Sequence, residues 1–378
     1  MKPRVLIPYQ QTWEVASHIP EWEKLSEFVE FIKYKMGTKE EFEEYLGNHE
    51  FEALWVTEEF FRVLGGPTPY VEQYPKTLKC MAVPWVGCDF IDGKALLEKH
   101  GVYLCNIGPH AVDNVTDLAI HLVVSCFRLT SFYEYCFRFV EPGSVDECKK
   151  YVGGTGEDQI MRDGHLFPKK LDTGGTSSRF LNLAKDFDIA GKRVDSPTGK
   201  TALILGFGSI GQNIGSKLKF AFDMKIKYYK RSGPVSKEQL GYEATYCNSL
   251  DDSSTWNDVD IIVLSLPGTP ETDDIIGEKS LSMCKDGVRI VNVGRGSCID
   301  EDALLKALDS GKVNSCGMDV FKNEETVIDE RFLHRWDVTL LPHIGSAVAD
   351  MMVRQTVITL DNIEDVLING GEGIYRAN

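Results

Sequence analysis

The chain has 378 residues, 43% hydrophobic and 26% charged, and its 57 acidic against 41 basic side chains leave a formal charge of -16. That length exceeds what one hydrophobic core supports, so two domains are expected, and the composition excludes a disordered polar chain. The negative field disfavours phosphate backbones and anionic membranes, so neither nucleic acid nor a membrane is an expected partner; an anionic small molecule would have to be met by local basic residues.

The opening MKPRVLIPYQ has too short an apolar run for a signal peptide, and no stretch approaches the ~18 apolar residues of a membrane span. Ten cysteines (80, 88, 105, 126, 136, 148, 247, 284, 298 and 316) are scattered without a CxxC pair. Reduced, buried thiols follow, with no disulfide framework, zinc site or other metal site. The carboxyl-terminal Arg376-Ala377-Asn378 is not a peroxisomal address of the Ser-Lys-Leu type, and the cytoplasm is the expected location.

Along the first hundred residues, short apolar runs (Val5 to Ile7, Ala53 to Val56, Leu78 to Val83, Val102 to Cys105) alternate with charged, helix-like segments (Glu21 to Tyr34, Lys39 to Leu46, Lys94 to Lys99). Alternation of this kind predicts an α/β fold with a parallel sheet covered on both faces. A second series has strands at Thr201 to Leu205, Ile226 to Tyr229, Ile261 to Leu264, Ile290 to Val293, Ser315 to Met318 and Val338 to Leu341. Between them, Glu141 to Lys200 is rich in Gly, Asp, Ser and Lys, with Gly153-Gly154 and Gly174-Gly175, and reads either as an arm toward a partner subunit or as a disordered loop. The tail from Ser346 to Ile368 has helical spacing and is expected to return to the first domain. The predicted division is residues 1–118 with 346–378 for substrate, and 119–345 for a dinucleotide.

The apolar strand Thr201 to Leu205 runs straight into Gly206-Phe207-Gly208-Ser209-Ile210-Gly211 and then a helical stretch. This is the dinucleotide fingerprint in its required setting: Gly206 for the tight turn, Gly208 for approach of backbone N–H groups to a pyrophosphate, Gly211 for close helix–strand packing, and Ser209 and Ile210 at the helix start. The carboxylate that would meet a ribose 2′-hydroxyl is missing. Lys230, Arg231 and Ser232 stand there instead, two cations and a hydroxyl suited to a 2′-phosphate, which predicts NADP as the preferred cofactor with NAD possible. The alternative is that both cations are ordinary solvated charges.

Four further segments occur in order: LSLPGTPETDDIIG from Leu264, VNVGRGSCIDEDAL from Val291, GMDVFKNEE from Gly317 and LLPHIGS from Leu340. They resemble the D-isomer-specific 2-hydroxyacid dehydrogenases, nearest the glyoxylate/hydroxypyruvate reductase branch, and the resemblance runs from about Val83 to Ala347. It implies two Rossmann-like or flavodoxin-like domains with an active-site cleft between them. It assigns Arg295 to the substrate carboxylate, His343 to protonation of the keto oxygen, and Glu324 to orienting His343. The usual proline after that Glu is missing, so Glu325 stays open as the alternative. The chemistry asks for such a set: reducing a carbonyl builds negative charge on oxygen, a near-neutral acid can discharge it, and Arg offers a bidentate carboxylate anchor.

By the same resemblance Leu266, Pro267, Thr272, Val293, Gly294, Asp319, His343 and Gly345 line the cofactor, and the N–H groups of Val86 and Gly87, in Val83-Pro84-Trp85-Val86-Gly87, hold the substrate carboxylate. Trp85 departs from the small residue usual there and either narrows the pocket or packs in the core. Glu324 argues against the related formate dehydrogenases, which pair their His with Gln. The implied function is reduction of a small 2-keto acid to a D-2-hydroxy acid by a homodimer; the alternative is a dinucleotide-sensing, corepressor-like binding protein on the same fold.

Overall fold

The computed structural model describes residues 2–170, 187–324 and 326–378. The chain divides into two compact units, residues 1–111 with 346–378, and residues 112–345. The boundary precedes the expected one at 118/119, because helix Val112–Arg128 runs unbroken across that point and buries Ala119, Leu122, Val123, Cys126 and Phe127 in the core of the second unit.

The first unit holds five parallel strands, β1 (Arg4–Tyr9), β2 (Glu30–Lys35), β3 (Ala53–Trp55), β4 (Cys80–Ala82) and β5 (Tyr103–Cys105), in the order β2-β1-β3-β4-β5. This is a flavodoxin-like order. One expectation fails: Glu21 to Tyr34 is not a single helix. A short helix, Pro20–Ser26, stops there, and Glu30–Lys35 pairs in parallel with β1 from Arg4↔Glu30 to Tyr9↔Lys35. As an edge strand it buries neither face fully, so it lacks the continuous apolar run that marked its neighbours. The tail returns as expected: helix Met351–Glu364 places Leu360 and Ile363 in the core of this unit.

Before the main sheet of the second unit come two small antiparallel ribbons, β6 (Gln159–Arg162) with β7 (His165–Pro168), and β8 (Asp188–Ile189) with β9 (Lys192–Arg193). The segment read as an arm or a disordered loop is therefore ordered over much of its described length, around a core of Phe132, Tyr151, Phe167 and Trp336. Gly174-Gly175 lies outside the described residues. Lys192 anchors the second ribbon. It is buried, and its Nζ reaches the carbonyls of Leu308 (2.6 Å) and Val313 (2.9 Å) and Asp337 Oδ2 (3.1 Å). Arg335 grips the same carboxylate with two contacts of 2.9 Å, so the buried charges are paired.

Seven parallel strands follow: β10 (Thr201–Leu205), β11 (Lys225–Tyr229), β12 (Ala244–Tyr246), β13 (Ile261–Leu264), β14 (Val288–Asn292), β15 (Val313–Met318) and β16 (Val338–Leu340). Their order, β12-β11-β10-β13-β14-β15-β16, is that of a doubly wound dinucleotide-binding sheet, with its switch point between β10 and β13. β12 was not anticipated, being a three-residue edge strand without an apolar run. All ten cysteines are free, and all but Cys88 are buried. Among the described residues no single helix is long and apolar enough to cross a membrane; one bent pair, Val112–Arg128 with Thr130–Val140, has the composition, but the first helix is a core helix.

Candidate active site

The carboxyl ends of β10, β13, β14, β15 and β16 lie side by side, and each leads into a loop that carries predicted site residues. After β10, Gly206 adopts φ +88, and a Cβ on it would stand 2.6 Å from the Ser265 carbonyl. Only glycine suits both the backbone and the space. A Cβ on Gly211 would meet the Gly206 carbonyl at 2.1 Å, which is the close packing its place in the motif predicted, whereas a Cβ on Gly208 would meet nothing within 4 Å. Helix Ser209–Phe222 starts here with no side chain capping it. An uncapped helix start facing open space beside a glycine turn fits the pyrophosphate of a dinucleotide. The backbone of Ser209, Ile210 and Gly211 would hold that group, and the hydride is the chemistry the cofactor supplies when bound.

Gly206 N–H donates to the Tyr229 carbonyl, which puts Lys230 immediately beside the phosphate loop. Lys230 is half-buried, Arg231 and Ser232 are exposed, and the Lys230 carbonyl closes the turn by accepting the Gly233 N–H. No acidic side chain ends β11.

The loop after β13 packs backbone to backbone against its neighbours. Besides the Gly206 contact, a Cβ on Gly294 would lie 2.7 Å from the Leu266 carbonyl. Thr272 closes this loop by donating to the Pro267 carbonyl (2.7 Å) and accepting the Thr269 N–H (2.9 Å). Its hydroxyl shapes the loop from within. Val293 is buried at the end of β14, and Arg295 follows, half-buried, with Nη1 donating to the Gly294 carbonyl at 2.8 Å.

Beyond β15, Asp319 is 2% exposed. It was assigned to the cofactor; the structure shows both carboxylate oxygens accepting backbone N–H groups, from Ile344 (2.8 Å) and Gly345 (2.9 Å). Burial pushes its carboxyl pKa up, partly offset by those N–H groups and by His343. The clamp has a use, because His343 sits in left-handed backbone at φ +51, a conformation that costs energy for a residue with a Cβ.

His343 Nδ1 lies 3.0 Å from Glu324 Oε1. A carboxylate only accepts, so Nδ1 carries the hydrogen and Nε2 is left to face solvent or substrate. The exposed imidazole is held above its ordinary pKa chiefly by the Glu324 hydrogen bond, with burial opposing, Glu324 and Asp319 charge assisting, and Arg295 lowering it. Burial alone would raise the Glu324 carboxyl; the His343 hydrogen bond and charge, the Phe321 N–H at Oε2 (3.2 Å) and Arg295 outweigh it and hold it below the usual range. His343 and Glu324 are thus joined, and Arg295 lies near enough for its charge to act on both. Glu325, the alternative partner, lies outside the described residues.

The sign of these shifts sets a pH dependence. A His343 imidazolium acting as the acid of the reductive direction predicts activity that is present below the His343 pKa and lost as pH rises through it. Glu324→Gln removes the charge that raises that pKa and should move the descending limb of kcat/KM to lower pH; an unmoved limb in the pH–rate profile would assign the titration elsewhere.

In the first unit, Val86 and Gly87 are half-buried in the loop after β4, and the Val86 carbonyl accepts from Asn106 Nδ2 at 2.7 Å. Trp85 is half-buried and packs on the apolar core with Phe61 beside it (centroids 6.0 Å apart). Of its two readings, core packing is the one seen. Among the described residues no group of three or more His, Cys, Asp or Glu is placed to hold a metal ion.

Comparison with known proteins agrees with this geometry. Residues 179–345 match the profile of the D-isomer specific 2-hydroxyacid dehydrogenase NAD binding domain. The whole chain is 56% identical over 383 residues to a protein of Saccharomyces cerevisiae named as a 2-hydroxyacid dehydrogenase, covering 96% of it. It is 30% identical over 362 residues to 4-methyl-2-oxopentanoate reductase A of Aspergillus oryzae, covering 94% of each chain. A crystal structure of a glyoxylate reductase from Paecilomyes thermophila superposes with a TM-score of 0.78 at 26% identity, covering 100% of this chain and 99% of that one. The chain belongs to the D-isomer-specific 2-hydroxyacid dehydrogenase family. It is an NAD(P)-dependent enzyme that acts on small 2-hydroxy or 2-keto acids.

Proposed function

We propose that the enzyme works in the reductive direction, converting a small 2-keto acid of the glyoxylate or hydroxypyruvate kind to the D-2-hydroxy acid, with NADPH preferred over NADH. The observation that carries this is the His343–Glu324 hydrogen bond at 3.0 Å, which keeps a proton on Nδ1 and supports the charged imidazole that must deliver the other one. Arg295 anchors the substrate carboxylate, and the backbone N–H groups of Val86 and Gly87 are assigned to the same anion. The likeness to a glyoxylate reductase supports the small substrate. A second reading, a branched 2-keto acid, is favoured by the 30% identity to a 4-methyl-2-oxopentanoate reductase. No observation favours the dinucleotide-sensing alternative. NADPH consumption with glyoxylate, hydroxypyruvate, pyruvate and 4-methyl-2-oxopentanoate decides between the two substrates; no turnover of any would sink both.

NADPH preference is supported by Lys230, Arg231 and Ser232 beside the phosphate loop and by the missing carboxylate. Charge-assisted bonds to a phosphate predict that Lys230→Ala/Arg231→Ala weakens NADPH on the order of tenfold to a hundredfold while NADH changes little. Equal losses for both cofactors, or a wild-type enzyme that favours NADH, would refute the assignment. A homodimer is supported by the exposed Tyr135, Phe137 and Phe139, just before the arm, and Met161 within it, and the molecular mass in solution tests it. The proposed location is the cytoplasm, to be checked by cell fractionation.

A further inference from the structure

Asn292 is the last residue of β14 and is fully buried. No role was assigned to it, yet both ends of its side chain are spent on the turn that carries Arg295. Its Nδ2 donates to the Arg295 carbonyl at 2.8 Å and its Oδ1 accepts the Gly294 N–H at 3.0 Å. The amide has one orientation that satisfies both partners, because a carbonyl only accepts and an N–H only donates. Its own main-chain carbonyl accepts the Asp319 N–H at 3.0 Å, which pins the residue to the neighbouring strand.

On the other side of Arg295, a Cβ on Gly296 would stand 1.9 Å from the carbonyl carbon of Phe321, the residue whose N–H binds Glu324. The Arg295 backbone is therefore held from both sides, by Asn292 within its turn and by Phe321 at its far end. No common substitute for Asn292 does the same. Aspartate lacks the donor and would set a second oxygen against the Arg295 carbonyl, and an aliphatic side chain would take away the partner of the Gly294 N–H and leave the Arg295 carbonyl to the Cys298 N–H alone, which does not tie the turn back to β14.

We propose that Asn292 is a positioning residue that aims Arg295 at the substrate carboxylate. This rests on the reading of Arg295 as the carboxylate anchor. Displacement of such an anchor by about 1 Å costs up to ~100-fold, so Asn292→Ala should raise KM for the keto acid on the order of tenfold to a hundredfold. NADPH affinity, read by fluorescence titration, should stay within about twofold, and kcat should change less than KM.

A double-mutant cycle with Arg295→Ala separates positioning from a general structural role. If Asn292 acts through Arg295, the double variant is no worse than Arg295→Ala alone. An unchanged KM in Asn292→Ala, a parallel loss of NADPH affinity, or an Asn292 effect that adds in full to that of Arg295→Ala overturns the proposal. An Arg295→Ala enzyme with unchanged KM would overturn the anchor reading and this proposal with it, whereas a raised KM there beside an unchanged one in Asn292→Ala overturns only the role of Asn292. Asn292→Ser, which keeps a polar group in the space, carries the same measurements if the alanine variant does not fold.

Discussion

His343→Ala should lower kcat for keto-acid reduction about a thousandfold, roughly 4 kcal/mol of barrier, while NADPH still binds. The alkoxide that forms as hydride arrives needs a proton at that moment, and of the described side chains around His343, neither Arg295, Glu324 nor Asp319 is suited to supply one. Arg295 is given to the substrate carboxylate, the carboxyl of Glu324 is held below its usual pKa range, and both oxygens of Asp319 are engaged by backbone N–H groups. The loss should fall on kcat and kcat/KM together, since the imidazole acts in the transition state and Arg295 remains to bind the carboxylate. Single-turnover kinetics with titrated NADPH binding provide the check. Retained turnover would remove His343 from the chemistry; lost NADPH binding would show that the damage lies in the loop.

Gly296→Ala should be the most damaging small substitution in the second unit. Its φ lies outside the left-handed region, so the cost is steric alone: the added Cβ would fall 1.9 Å from the carbonyl carbon and 2.0 Å from the carbonyl oxygen of Phe321. Backbone cannot swing aside as a flexible side chain would, which places the destabilisation at the upper end of overpacking costs, about 3 kcal/mol or more. The loops that meet at that contact carry Arg295 and Glu324, so the folded fraction should also be nearly inactive. Gly208→Ala is the control. Its Cβ would meet nothing within 4 Å, so stability should hold while NADPH affinity falls, because the space it enters is where a pyrophosphate would approach. Denaturant unfolding with cofactor titration reads both; equal stabilities for the two variants would contradict the packing argument.

Where an element's identity depends on its own residues, it was legible. The buried strands β10, β13 and β14 are continuous apolar runs because both faces are covered; the glycine fingerprint follows β10 and the Arg295 motif follows β14, as the Glu324 and His343 motifs follow β15 and β16. The edge strands β2 and β12 were not, since half-exposed strands share their composition with surface helices and loops. Whether the arm is ordered was left open for a related reason: its anchors, Lys192 on Asp337 and Gln159 on Trp336, join residues far apart in the chain.

The sequence by itself determined the fold class and the glycine loop, and its resemblance to the family pointed to Arg295, Glu324 and His343, because each is written in a short run of contiguous residues. Only the tertiary structure decided what holds them. Asp319 spends its carboxylate on the backbone beside the strained His343, Thr272 spends its hydroxyl on its own loop, and Asn292 ties down the turn of Arg295. A buried polar side chain takes whichever unpaired backbone group lies within reach, and that depends on how neighbouring strand ends meet, which no local pattern records.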